Sequence, residues 1–226
     1  MKQGIRISVN QLATFVLASQ PKKQRIIHQQ KNPSTLIVSW YGKAKSVMRS
    51  FYKDPMNIGL IETGLKELKE TKPKSKWQVS NRQGSIEILE RFIKMQVPKC
   101  FEGDNVEFVK PSLKSLSILG VEIIASPELI FCFHQDGKLR YGAVKFHTSK
   151  SGKFTREQSK VVAAALKLYL KRYIAEFDPE AEVAYEYCLS VDVFNEAITN
   201  AGGDLKDIEK TINEACHEVI KLWNAA

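Results

Sequence analysis

Acidic side chains are missing from the beginning of this 226-residue chain: no Asp or Glu precedes Asp54, whereas ten Lys or Arg do. Cysteine is scarce as well. The four present, Cys100, Cys132, Cys188 and Cys216, stand 32, 56 and 28 residues apart. That spacing fits neither a CxxC zinc pattern nor a small disulfide framework, so reduced thiols and a cytoplasmic location are expected. No apolar run approaches the ~20 residues needed to cross a bilayer, and no membrane partner is expected. The first residues lack a secretory cleavage pattern. Neither GxxxxGK[ST] nor GxGxxG occurs, which removes the common nucleotide-binding fingerprints. HExxH and GxSxG are absent too, and His28, His134, His147 and His217 carry no companion signature of a triad.

What is present is a basic chain of ordinary globular composition, with 43% apolar residues, 26% charged residues and a net charge of +9. The charge is uneven. Residues 1–100 hold 19 basic and 6 acidic side chains, and residues 101–226 hold 15 and 19. A basic half joined to a mildly acidic one suggests a surface facing a polyanion, and phosphate backbones are the commonest polyanion. Candidate phosphate contacts are Lys22, Lys23, Arg25, Lys43, Lys45, Arg49, Lys150, Lys153 and Arg156. The plain alternative is a solvated lysine surface.

Periodicity divides the chain into a helical region, residues 1–98, and an α/β domain, residues 99–226. Ser8 is an N-cap candidate for a helix carrying Val9, Leu12, Ala13 and Val16, and Pro21 suits the first turn of the next. An amphipathic stripe runs from Leu36 through Trp40 and Tyr41 to Phe51 and stops at Asp54-Pro55. Ile58–Leu68 and Ser80–Gln96 supply two more helices, about five in all. The Trp40-Tyr41 pair suits base stacking, although at helical spacing it reads more naturally as core. From residue 105 short alternating runs read as strands. Thr155 caps a helix to Phe177, EVAYEYCLSVDVF reads as one or two buried strands, and Asp204 caps a last helix to about Trp223.

Residues 121–150 are the most informative. Asp136-Gly137 between two apolar runs is the preferred centre of a two-residue type I′ turn. It sets a register in which Gln135 pairs with Lys138, Cys132 with Tyr141, and Glu128 with Lys145. Glu128 and Lys145 then share one face, while Leu129, Phe131, Phe133, Gly142 and Val144 occupy the other.

Pro127-Glu128 on one strand and Ala143-Val144-Lys145 on the next resemble the PD-(D/E)XK, or restriction-endonuclease-like, nuclease superfamily. The helix at 155–176 also matches the order of elements in that family's core. The resemblance covers residues 99–190 and implies a mixed sheet flanked by helices, preceded here by the basic helical region. It further implies a magnesium ion held by acids beside a scissile phosphate, with a lysine orienting the attacking water. Glu128 would hold the metal and Lys145 would be catalytic, with His147 two residues along on the same face. Ala143 stands where the family's second acid belongs, and a single carboxylate holds magnesium poorly. Glu122 on the preceding strand, or Glu87 or Glu90 on the helix before Pro98, would have to complete the metal site. Gln158 on the following helix is a further candidate for the same place.

Two functions stay open on these residues. One is a magnesium-dependent nuclease with an altered site. The other is a non-catalytic nuclease-like module that holds nucleic acid or docks on a partner protein, with Glu128 and Lys145 forming an ordinary cross-strand ion pair.

Overall fold

The computed structural model describes residues 4–33, 41–102, 105–203 and 206–225. Among them the chain is mixed α/β, with eight strands in two mixed sheets and seven helices. Strand β1 (Arg6–Ser8) leads directly into α1 (Val9–Val16), and the Ser8 hydroxyl caps that helix by accepting from the Gln11 N–H at 3.4 Å. Helix α2 (Gln20–Lys31) carries Pro21 in its first turn, where no backbone N–H is required. Next come α3 (Gly42–Lys53), α4 (Gly59–Glu70) and α5 (Lys76–Phe92). The amphipathic stripe is observed from Ala44 onward, through Val47, Met48 and Phe51, all buried. Tyr41, expected on the stripe, stands just outside the helix at its N-cap with φ of 60°, and the part from Leu36 to Trp40 lies outside the described residues. Helix α5 starts four residues before the expected Ser80, because Ser75 caps it through the Gln78 N–H at 3.2 Å.

A five-stranded sheet forms the centre. It is built from β2 (Glu107–Val109), β5 (Leu129–Gln135), β6 (Lys138–His147), β7 (Glu182–Asp192) and β8 (Ala197–Asn200), in that order. Strands β6 and β7 are parallel, and α6 (Arg156–Phe177) lies between them in sequence. A smaller sheet places β4 (Val121–Ile124) between β1 and β3 (Ser115–Ile118). Helix α7 (Lys206–Ala225) closes the chain, and its expected cap Asp204 lies outside the described residues.

The β5–β6 register is the expected one. Gln135 faces Lys138, Cys132 faces Tyr141 and Leu129 faces Val144. Asp136 and Gly137 have φ of 52° and 76°, the two positive values a type I′ turn requires. Gly142 is fixed by packing: a Cβ there would stand 2.4 Å from Cζ of Phe131 across the ladder.

Two points depart from the sequence reading. Both faces of the central sheet are buried. Leu129, Phe131, Val144 and Phe146 pack against α3, α4 and α5. Ile130, Cys132, Ala143 and Cys188 pack under α6, α1 and α7. The Glu128–Lys145 pair therefore stands at one end of a face whose middle, Ile130, Cys132 and Ala143, is apolar and buried. The division at residue 98 also does not separate two cores. The early helices clothe opposite faces of the later sheet, and β1 pairs in parallel with β4. Burial explains this: an amphipathic helix needs an apolar partner, and the sheet offers one on each side.

Candidate functional site

Strand β5 begins at Leu129, one residue after the last backbone bond that ties this segment to β6, Glu128 N–H to the Val144 carbonyl at 2.8 Å. Beyond it, no strand among the described residues pairs with Phe146 N–H on that side. The Glu128 carboxylate takes its place, accepting from Phe146 N–H at 3.0 Å through Oε2. Asn10 on α1 donates its side-chain N–H to the Phe146 carbonyl at 3.4 Å. The acid thus extends the sheet where the backbone stops.

Glu128 and Lys145 meet as the register requires, with Lys145 Nζ 3.6 Å from Glu128 Oε2. Lys45 from α3 approaches Oε1 at 3.9 Å. The Glu128 side chain is only 8% exposed and that of Lys145 13%. Lys145 also donates to the Ser126 carbonyl at 2.6 Å. Ser126 has φ of 37°, sparsely populated for a non-glycine residue, and Ser126 N–H is bonded to the Lys114 carbonyl. Burial pushes the Lys145 ammonium below its ordinary pKa; the Glu128 charge opposes that shift and the Lys45 charge adds to it.

His147 shares the face of Lys145 and is 7% exposed. Its Nε2 donates to the Gly152 carbonyl at 2.6 Å, and its ring stacks on Phe154 with centroids 3.5 Å apart. Burial lowers its pKa, countered by the Gly152 carbonyl and the Asp192 charge. The loop that follows is pinned from β7. Asp192, 1% exposed, accepts from the N–H groups of Phe154, Phe194 and Asn195 and from the Asn195 side chain. The sequence reading overlooked Asp192; the Asp-x-x-Asn spacing, typical of a side chain that bonds the backbone just ahead of it, was its signal. Gln158 is likewise engaged locally, in a reciprocal capping box with Thr155 at the start of α6, and is not aimed at this site.

The donor set does not fit a magnesium centre. Each nearby carboxylate is already committed: Glu128 to two lysines and a backbone N–H, Asp192 to four N–H bonds. Glu87 is paired with Lys150 at 2.8 Å and with Arg91, and the Lys150 hydrogen bond holds its carboxyl below the usual range. Glu122, the sequence candidate for second metal acid, sits on β4 in the other sheet, exposed and hydrogen-bonded to Ser115 at 2.8 Å. Among the described residues no three His, Cys, Asp or Glu side chains gather as a cation would need.

What does gather beside Glu128 is positive charge. A cleft of about 1180 Å³ opens between α1, α2, the start of α3 and the β6–α6 loop. Lys22, Arg25, Lys45 and Lys150 line it, together with His147, Tyr41 and neutral polar side chains such as Asn10, Gln11, Gln29 and Ser149. Among the described residues no carboxylate is part of its lining. Lys22 and Arg25 are exposed and have no ion pair among the described residues.

The other expected cations are placed differently. Lys23 turns to α7, bonding Glu218 at 2.6 Å, and Lys43 pairs with Glu67 on α4. Arg49 is half-buried further along α3, and Lys153 and Arg156 are exposed beside the cleft without lining it. Helical spacing does not show this division, since Lys22 and Lys23 are neighbours in sequence yet face opposite ways.

Among the described residues no helix is long and apolar enough to cross a membrane. No protein-family model matches the chain, and no curated protein matches it.

Proposed function

We propose that this protein binds the sugar–phosphate backbone of a nucleic acid in the cleft between α2, α3 and the β6–α6 loop, and holds it without cutting it. The observation that carries this reading is the lining of the cleft among the described residues: four cations from three separate elements, many neutral hydrogen-bonding side chains, and no carboxylate. Phosphate oxygens are satisfied by that mixture, and an acidic ligand meets no repulsion there.

The PD-(D/E)XK resemblance belongs to the same proposal. A hairpin, a helix and a parallel strand follow one another in the order that family uses, within a mixed sheet covered by helices on both faces. Glu128 and Lys145 are the residues the resemblance assigns to the family's acid and lysine, but their bonds are those of a structural tie. The acid caps the free N–H of Phe146, and the lysine neutralises the acid. The non-catalytic branch of the resemblance is the one these bonds favour.

The test is retention of labelled single-stranded DNA, duplex DNA and RNA over a salt series, followed by incubation with magnesium or manganese. Binding that weakens steeply with salt and leaves the nucleic acid intact is expected. Absence of retention at low salt would overturn the binding assignment. Metal-dependent cleavage abolished by Lys145→Ala would overturn the non-catalytic one.

A further inference from the structure

The turn between α4 and α5 holds the largest group of basic side chains outside the cleft. Residues 71–86 contain Lys72, Lys74, Lys76 and Arg82 and no acid. The three lysines are exposed and have no ion pair among the described residues. Lys72 and Lys74, with Arg82, line a groove of about 370 Å³ that also includes Trp77, 37% exposed at the start of α5; Lys76 stands beside it. Its shape is fixed by Arg82, which donates to the Thr71 carbonyl at 2.9 Å, and by the Gln78 side chain, which accepts from Lys74 N–H at 2.5 Å.

Helix α5 joins this groove to the cleft. Gly84 stands two helical turns after Trp77, on the same face. A Cβ at Gly84 would lie 2.4 Å from Cε1 of Tyr41, so the Tyr41 ring rests directly on the helix there. Tyr41 is itself part of the cleft wall. At 1.5 Å rise per residue, the seven residues from Trp77 to Gly84 span about 10.5 Å. Stacked nucleotides advance about 3.4 Å each, so the interval is about three nucleotides.

We infer that the ligand of the cleft is a single strand that leaves it past Tyr41 and runs along α5 to the α4–α5 turn, where Trp77 stacks on an unpaired base and Lys72, Lys74 and Lys76 meet the flanking phosphates. An indole on a helix tip reaches the face of a base only where that face is not already covered by a duplex neighbour. An aromatic ring set among lysines is how sequence-tolerant single-strand binders are built. This inference rests on the proposed cleft function and names its substrate class.

The test is fluorescence anisotropy with a labelled oligothymidylate and a labelled duplex of equal length, using the wild type, Trp77→Ala, Trp77→Phe and the cleft variant Lys22→Gln/Arg25→Gln. Trp77→Ala is expected to bind the strand at least about five-fold more weakly, the lower bound for loss of one base–aromatic stack. It should leave duplex affinity and the salt slope unchanged, because no charge is removed. Trp77→Phe should fall between, and the cleft variant should reduce the slope for both ligands. Wild-type affinity of Trp77→Ala for the strand, or equal losses for strand and duplex, would overturn the inference while leaving the cleft function standing. Absence of salt-dependent binding by the wild type would overturn both. Should circular dichroism find Trp77→Ala unfolded, photocrosslinking of the wild type to a 4-thiothymidine strand decides: the adduct is expected between Ser75 and Arg82, and an adduct confined to other segments overturns the track.

Discussion

Neutralising Lys22 and Arg25 together is the sharpest perturbation of the cleft, since both are exposed cations without ion pairs among the described residues. Each phosphate contact contributes about −0.7 to the slope of log K against log salt for a single strand and about −0.9 for a duplex. The four lining cations therefore contribute about −2.8 to the slope for a strand, a factor of about 50 in affinity between 50 and 200 mM salt, to which the lysines of the α4–α5 turn add their own share. Removing two should make the slope shallower by about 1.4, a factor of about seven in affinity over that range. Lys150 and Lys45 are partly engaged, by Glu87 and Glu128, so the two that remain are the weaker contributors. The assay is anisotropy of a labelled strand across a salt series. Lys171→Gln/Arg172→Gln serves as control, removing the same charge from exposed positions about 22 Å along α6 from its first turn. An unchanged slope in the cleft variant, or an equal reduction in the control, would refute the placement of the ligand.

Other outcomes follow from the same geometry. Lys145→Met should destabilise the fold by about 3 kcal/mol, the low end for stranding a buried charge, because Lys45 still faces Glu128. Adding Glu128→Gln should recover part of that loss in urea denaturation, and strictly additive changes would contradict the coupling. Gly142→Ala should cost about 1–3 kcal/mol, since its methyl group meets the Phe131 ring in a packed ladder; an unchanged urea midpoint would count against the register. His147 should make stability fall as pH drops below 6.5. Its folded pKa is depressed, so the unfolded chain takes up the proton first, and the contribution present above 6.5 is lost toward the folded value. Subtracting the profile of His147→Gln isolates this term, and a flat difference between neutral and mildly acidic pH would contradict it.

Local chemistry was readable from the residues, whereas tertiary partnerships were not. Asp136-Gly137 determined a turn, and the turn determined which residues face one another from Gln135 to Leu129. Ser8 and Thr155 announced their helices because a hydroxyl at an N-cap satisfies an otherwise free N–H. The three-residue strand β1 left no periodic trace, and its partner β4 lies far along the chain. Helical stripes in α1 and α3 showed that each had a buried face but not that the two cover opposite sides of one sheet. Likewise the alternation Glu128, Ile130, Cys132 identified a shared face, while its cover by α6 depended on packing alone. The charge asymmetry pointed to a polyanion. The choice of Lys22 over Lys23 for the cleft arises only once α2 is docked, with Lys23 drawn to Glu218.

Mapping which lysines a bound oligonucleotide shields from acylation, read by mass spectrometry, bears most directly on where the nucleic acid lies. Lys22, Lys45 and Lys150 should lose reactivity when a single strand is added at low salt, while Lys171 and Lys210 keep theirs. Uniform shielding over the whole surface, or undiminished labelling of the three cleft lysines at saturating oligonucleotide, would contradict a ligand seated between α2, α3 and the β6–α6 loop.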